Sequence, residues 1–142
     1  MAIYAIGRRT TNVTSGQSAH TIYTASTDRA ALLEAGIFMG AATASSYSLG
    51  RPAAAGVTPT SPVLLLAEDP ANPAATVNSA LAWGTSPTNP TADLRRWASP
   101  ATIGTGVIFT FPRGLMIAIS SNFVLQNLAT NCVVDSYFVV DE

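Results

Sequence analysis

The stretch from Gly104 to Glu142, GTGVIFTFPRGLMIAISSNFVLQNLATNCVVDSYFVVDE, constrains the fold more than any other. Four short runs rich in Val, Ile, Phe, Leu and Tyr are divided by Pro-Arg-Gly, Ser-Ser-Asn and Ala-Thr-Asn. Branched and aromatic side chains suit the pleated, half-buried surface of a strand. Gly, Pro, Asn and Ser supply the dihedral angles and local hydrogen bonds of turns. The spacing is that of an antiparallel meander. A similar rhythm runs through the rest of the chain, roughly ten short strands about ten residues apart. The 142 residues are therefore expected to form an all-β, antiparallel β-sandwich, jelly-roll-like because that is the commonest eight-stranded solution.

Residues 1–19 open with Ile3 and Ala5 alternating with Tyr4 and Ile6, then turn polar through GRRTTNVTSGQSA. This extended N-terminal segment reads either as an edge strand and loop or as an arm that docks on a neighbour. Residues 20–142 read as the sandwich domain itself, beginning with the strand HTIYTA. Residues 28–35 have the spacing of a short amphipathic helix with Asp28 near its start, but Gly36, Gly40 and Ile37-Phe38-Met39 favour one long strand. Thr43 to Leu49 alternates and stops at Gly50-Arg51-Pro52. Pro59 and Pro62 remove ladder donors, so no central strand runs through them. The run VLLLA after Pro62 is apolar throughout, the composition of a strand buried on both faces. ATVNSALAW and DLRRWA alternate on either side of the Gly- and Pro-rich loop 84–92.

Charge is scarce, 11% of residues against about 25% in an ordinary soluble domain, and all seven basic residues are arginines. Free monomers coat themselves with Lys and Glu, whereas interfaces are depleted in both. The bias has two readings: a GC-rich genome, or a protein packed against copies of itself or a larger partner. Arg8, Arg9, Arg51, Arg95 and Arg96 are the candidate interface residues, because arginine suits ion pairs in contacts. Arg95 and Arg96 point to opposite faces of their strand, so one of them must meet the interior, an interface or a carboxylate such as Asp93. A net charge of −1 speaks against a nucleic-acid partner, which demands a basic surface. No apolar run is long and clean enough to span a bilayer. The opening MAIYAIGRR lacks the order of a signal peptide, so synthesis in the cytoplasm is the default.

Little in the chain carries chemistry. The single histidine, His20, lacks a GxSxG elbow or comparable frame and reads as an exposed or strand-edge side chain. Glu68-Asp69 reads as a turn, without the ligand spacing of a calcium loop. Ile103-Gly104-Thr105-Gly106-Val107 lacks the third glycine of a dinucleotide fingerprint. No cofactor and no metal are expected. Cys132, alone and in a strand setting, reads as a buried inert thiol. Trp83 and Trp97 occupy apolar positions in their alternations and read as core; exposed, either would suggest a sugar site or an interface hot spot. Asp135 needs a partner if Val133, Tyr137 and Val139 face the core.

Three segments, MAIYAIGRRTTN, LGRPAAAGVTPTSPVLLLAEDP and FPRGLMIAISSNFVLQNLATNCVVDSYFVVDE, together resemble a family of small virion proteins of tailed bacteriophages, over most of the chain. The spacing of TFPRGLMIAISSNFVLQN is similar to the end of viral jelly rolls. The resemblance implies a non-enzymatic structural component of the particle, first of all a capsid decoration (cement) protein. Such a protein is expected on the capsid surface, as a homotrimer clamping the major capsid protein. A tail or baseplate component, or a carbohydrate-binding receptor-recognition module, is the alternative the same resemblance leaves open.

Overall fold

The computed structural model describes residues 2–25 and 27–142, with the backbone but not the side chains of residues 11–13. In chain order the strands are β1 (Ile3–Val13), β2 (Ser18–Tyr23), β3 (Ala30–Met39), β4 (Ser45–Gly50), β5 (Val57–Thr60), β6 (Val63–Leu64), β7 (Leu66–Ala67), β8 (Asn78–Ala80), β9 (Ala82–Thr85), β10 (Arg95–Ser99), β11 (Gly106–Ile117), β12 (Asn122–Asn127) and β13 (Cys132–Asp141). They make a five-stranded sheet of order β11-β3-β13-β1-β7, a six-stranded sheet of order β10-β4-β12-β2-β8-β6, and a two-stranded sheet β5-β9.

The pairing has a simple logic. β1 pairs with β13, β2 with β12, β3 with β11 and β4 with β10, all antiparallel. That is one long hairpin, and it wraps so that β13 also meets β3 and β12 also meets β4. Eight strands in two facing sheets with this order are a jelly roll. The segment 51–94 is the tip of the hairpin, and it is elaborated. It returns across the molecule, adds β7 to β1 on one sheet, and adds β8 and then β6 to β2 on the other. Between β6 and β7 the chain passes from one sheet to the other at Leu65, which is 2% exposed.

Alternation decides which residues make the core. Along β13, Cys132, Val134, Ser136, Phe138 and Val140 are buried while the residues between them are half-buried. From the facing sheet, Ile22, Leu49, Tyr47, Phe123 and Leu125 pack against them with Tyr4, Ile6, Leu32, Ile37 and Met39. Burying such side chains, each contributing about 1.5–3 kcal/mol, is the main stabilising term in a chain this poor in ion pairs.

Several expectations change. Of the two readings of the first residues the strand is the one observed: β1 lies against β13, with the two-residue β7 beyond it at Tyr4 and Ala5. The last third makes three strands instead of four, because Phe111-Pro112-Arg113-Gly114 is a bulge within β11 rather than a turn between strands. Gly114, at φ +66°, provides the left-handed residue that such a bulge uses. Nor do these strands form a meander, since β12 lies in the opposite sheet from β11 and β13. In VLLLA only Leu65 is buried; Val63, Leu64 and Leu66 are exposed because this short segment crosses between sheets. ATVNSALAW breaks at Leu81 into β8 and β9, which belong to different sheets. Residues 30–39 are the long strand β3 and not a helix.

Candidate interaction face

The two sheets treat their outer faces differently. On the six-stranded sheet, Thr21, Ser48, Val124 and Gln126 point away from the core yet are at most 1% exposed. The hairpin tip covers them. Trp83 of β9 donates its indole N–H to Thr21 Oγ1 at 3.3 Å, Ser86 Oγ accepts the Ser18 amide, and the Pro90 ring lies where a Cβ on Gly50 would be. Among the described residues nothing does this for the five-stranded sheet.

Register places the residues of that bare face in four rows. Met116, Ala31, Asp141 and Ile3 form the first. Thr110, Glu34, Val139, Ala5 and Leu66 form the second. Ile108, Gly36, Tyr137 and Gly7 form the third, and Gly106, Phe38, Asp135 and Arg9 the fourth. Leu66 is 70%, Met116 54% and Ile108 51% exposed. Most positions are apolar or glycine, an unusual content for a solvated sheet face, which ordinarily reads polar.

The aromatics lie flat here because glycines make room. A Cβ on Gly36 would stand 2.0 Å from Cε1 of Tyr137, and one on Gly106 would stand 2.2 Å from Cδ1 of Phe38. Each ring thus covers a glycine on the neighbouring strand. The two rings stack with centroids 6.4 Å apart and planes 14° from parallel. The Tyr137 hydroxyl donates to Glu34 Oε1 at 2.5 Å. Burial, then this hydrogen bond, pushes the phenol up to about 12. Gly36→Ala should displace Tyr137 and cost roughly 1–3 kcal/mol, as overpacking does. Urea unfolding reads the loss; a variant as stable as the parent would mean the ring is not held there.

One ion pair lies on this face. Arg9 grips Asp135 through two parallel bonds, Nε to Oδ1 at 2.7 Å and Nη2 to Oδ2 at 2.6 Å. The hydrogen bonds from Arg9 hold the Asp135 carboxyl below its ordinary range. Beside the pair lies a shallow depression of about 300 Å³ lined by Gly7, Phe38 and Tyr137 among others. Asp135 faces outward with Val133, Tyr137 and Val139; the opposite set of β13 faces the core, so its partner is on the surface.

The five candidate arginines do not form one cluster. Arg9 alone lies on the bare face. Arg8 turns inward to Ser79, its Nη1 donating to the carbonyl and Oγ at 3.3 Å each. Arg51 donates to the Met116 carbonyl at 3.0 Å with its guanidinium 4.5 Å from the Phe123 ring centre. Arg95 lies 5.2 Å over Phe111 and donates to the Leu94 carbonyl. These two tie the β4/β10 end of one sheet to β11 of the other. Arg96 pairs with Asp93 at 3.2 Å in the open.

His20 is not at an edge but sealed in the core at 0% exposure. Its Nδ1 and Nε2 meet the hydroxyls of Ser136 at 2.9 Å and Ser79 at 2.8 Å, and its ring meets Phe138 edge-on at 4.7 Å. Burial, helped by the nearby Arg8 charge, lowers its pKa to about 3. Arg8, Ser79, His20 and Ser136 thus make a polar clasp between the sheets, with two serines against the imidazole and no carboxylate. Glu68-Asp69 is a turn, Asp69 Oδ1 accepting the Ala71 amide at 2.9 Å. Among the described residues no group of three His, Cys, Asp or Glu side chains stands close enough to hold a metal ion. Cys132 is a buried free thiol. Trp97 stacks on Tyr47 at the core margin, whereas Trp83 packs outside the core, against Tyr23 and Gly56.

Phe38, Tyr137, Leu66 and Ile108 went unnoticed as surface residues in the sequence. The signal available was glycine inside strand runs, at 36 and 106, which marks a close approach by a neighbour. Comparison with known protein families, curated proteins and solved structures finds no match to this chain.

Proposed function

We propose that the chain is a non-enzymatic structural protein that works by docking the bare face of its five-stranded sheet on a larger partner. One observation carries this reading: the hairpin tip covers one sheet and leaves the other with a largely apolar, lysine-free surface. Large exposed apolar patches are what interaction surfaces retain and free monomers avoid. The finer reading, a decoration protein on the major capsid shell of a tailed phage, rests on the resemblance of the three segments quoted above. It agrees with a rigid jelly roll but is carried by that resemblance alone.

The test is sedimentation with capsid shells of the source virus. The parent should travel with the shells, and Leu66→Glu, placed at the most exposed apolar residue of the face, should lower occupancy at least about tenfold by desolvating a charge in the contact. Its melting temperature should be unchanged. A parent that stays in the supernatant sinks the capsid reading; equal occupancy of parent and variant sinks the choice of face. The flat Phe38–Tyr137 pair beside Arg9 and Asp135 gives a second reading, a glycan platform, since sugars stack on aromatic rings next to polar groups. Glycan-induced shifts of the Tyr137 ring resonances would favour it over the first.

A further inference from the structure

We infer that β11 is a self-pairing edge, through which two copies of the chain join their five-stranded sheets into one ten-stranded sheet. Two sheets have four edges, and three of these carry a device that blocks pairing. β7 and β6 are two residues long, the part of β1 that β7 leaves uncovered carries Arg8 and Arg9, and β10 presents Arg95 and Arg96. Short edge strands and charges are the usual protections against strand addition. The second half of β11 is protected too, by the bulge at Pro112–Gly114 and by Arg51, which occupies the Met116 carbonyl. The first half, Gly106-Val107-Ile108-Phe109-Thr110, has neither charge, proline nor bulge. It pairs with β3 on one side only, and among the described residues its backbone makes no hydrogen bond outside the strand ladders.

The occupant is a second copy because this segment is complementary to itself. Antiparallel pairing about a two-fold axis at Ile108 sets Ile108 against Ile108, Val107 against Phe109, and Gly106 against Thr110. Branched-against-aromatic and branched-against-branched pairs are favourable in antiparallel ladders, and no charge opposes a like charge anywhere in this register. Ile108, 51% exposed, gains a partner from its own equivalent. The contact is isologous, so it closes at two. The far edge of each joined sheet is the two-residue β7 and, past it, the stretch of β1 that carries Arg8 and Arg9, so short length and charge oppose further extension. The resulting stoichiometry is two, against the trimer that the resemblance implies.

Analytical ultracentrifugation of the full chain tests this without any capsid. The 14.7 kDa chain should sediment at twice that mass at micromolar concentration. Ile108→Lys and Ile108→Glu each place like charges directly opposite one another, and each should weaken dimerisation at least about tenfold. Mixing the two variants should restore a dimer, because opposite charges then face each other; a folding defect would not be repaired by mixing. Amides 106–110 should exchange slowly in the dimer and fast in either variant. A parent that sediments as a monomer at about 100 µM, or as a trimer, overturns the inference. So does a single variant that remains dimeric, or a mixture that remains monomeric.

Discussion

Removal of residues 2–13 is expected to abolish the folded state. The strand lost is β1, which pairs with β13 along nearly its whole length and carries Tyr4 and Ile6 into the core at 2% and 7% exposure. Those two side chains alone account for about 3–6 kcal/mol of burial. The deletion also strips β7 of its only neighbour, frees the Ser79 end of the polar clasp, and exposes one edge of β13. A domain stabilised by only about 5–15 kcal/mol does not survive losses of that size. The truncated chain should lack a cooperative melt by circular dichroism and give collapsed amide dispersion. A well-dispersed spectrum would show that the segment is dispensable after all.

Acid should weaken the fold through His20. Its pKa is about 3 in the folded protein against 6.5 unfolded, so the folded state disfavours the charged imidazole. The stability associated with the neutral ring is fully present above pH 6.5. It is lost as pH falls from 6.5 towards 3, at about 1.4 kcal/mol per unit, on the order of 4 kcal/mol across the window. Asp135, whose pKa is depressed by Arg9, acts in the same direction at lower pH. His20→Phe should flatten the urea-stability profile between pH 6.5 and 4. At pH 7 it should cost about 1–3 kcal/mol, because the Ser136 hydroxyl is left buried without a partner. The two profiles should therefore approach or cross near pH 4. Parallel profiles would mean that the imidazole is already protonated in the native clasp.

The strand content of this chain was readable because alternation, glycine and proline act locally. β3, β4, β12 and β13 lie where the pattern of apolar residues puts them. What the pattern lacks is the identity of the sheet on which each strand lies. VLLLA reads as a doubly buried strand because four apolar residues adjoin, but only Leu65 meets the core as the segment passes between sheets. Pro112-Arg113-Gly114 has the composition of a turn, and only the pairing of Leu115 with Leu32 beyond it shows that the strand resumes. His20 looked peripheral because nothing near it in sequence is a partner; Ser79 and Ser136 are 59 and 116 residues away. The bare face was invisible for a related reason. Whether Tyr137 faces in or out depends on which half of an alternating strand meets the core, and in β13 both halves are apolar.

The wrapped hairpin also governs when this protein can fold. β13 is the centre of its sheet, flanked by β3 and β1, yet it is synthesised after both. Likewise β12 lies between β4 and β2 and follows them. During synthesis β1 and β2 have only the short β7 and β8 to pair with until the end, and each sheet acquires its middle last. Non-local pairing of this kind is slow to nucleate and leaves unpaired edges exposed while it waits. On a ribosome, then, this chain is expected to remain open through most of its length and to close in a single late step. Its yield in a cell should depend more on temperature and chaperone supply than its stability in the test tube would suggest.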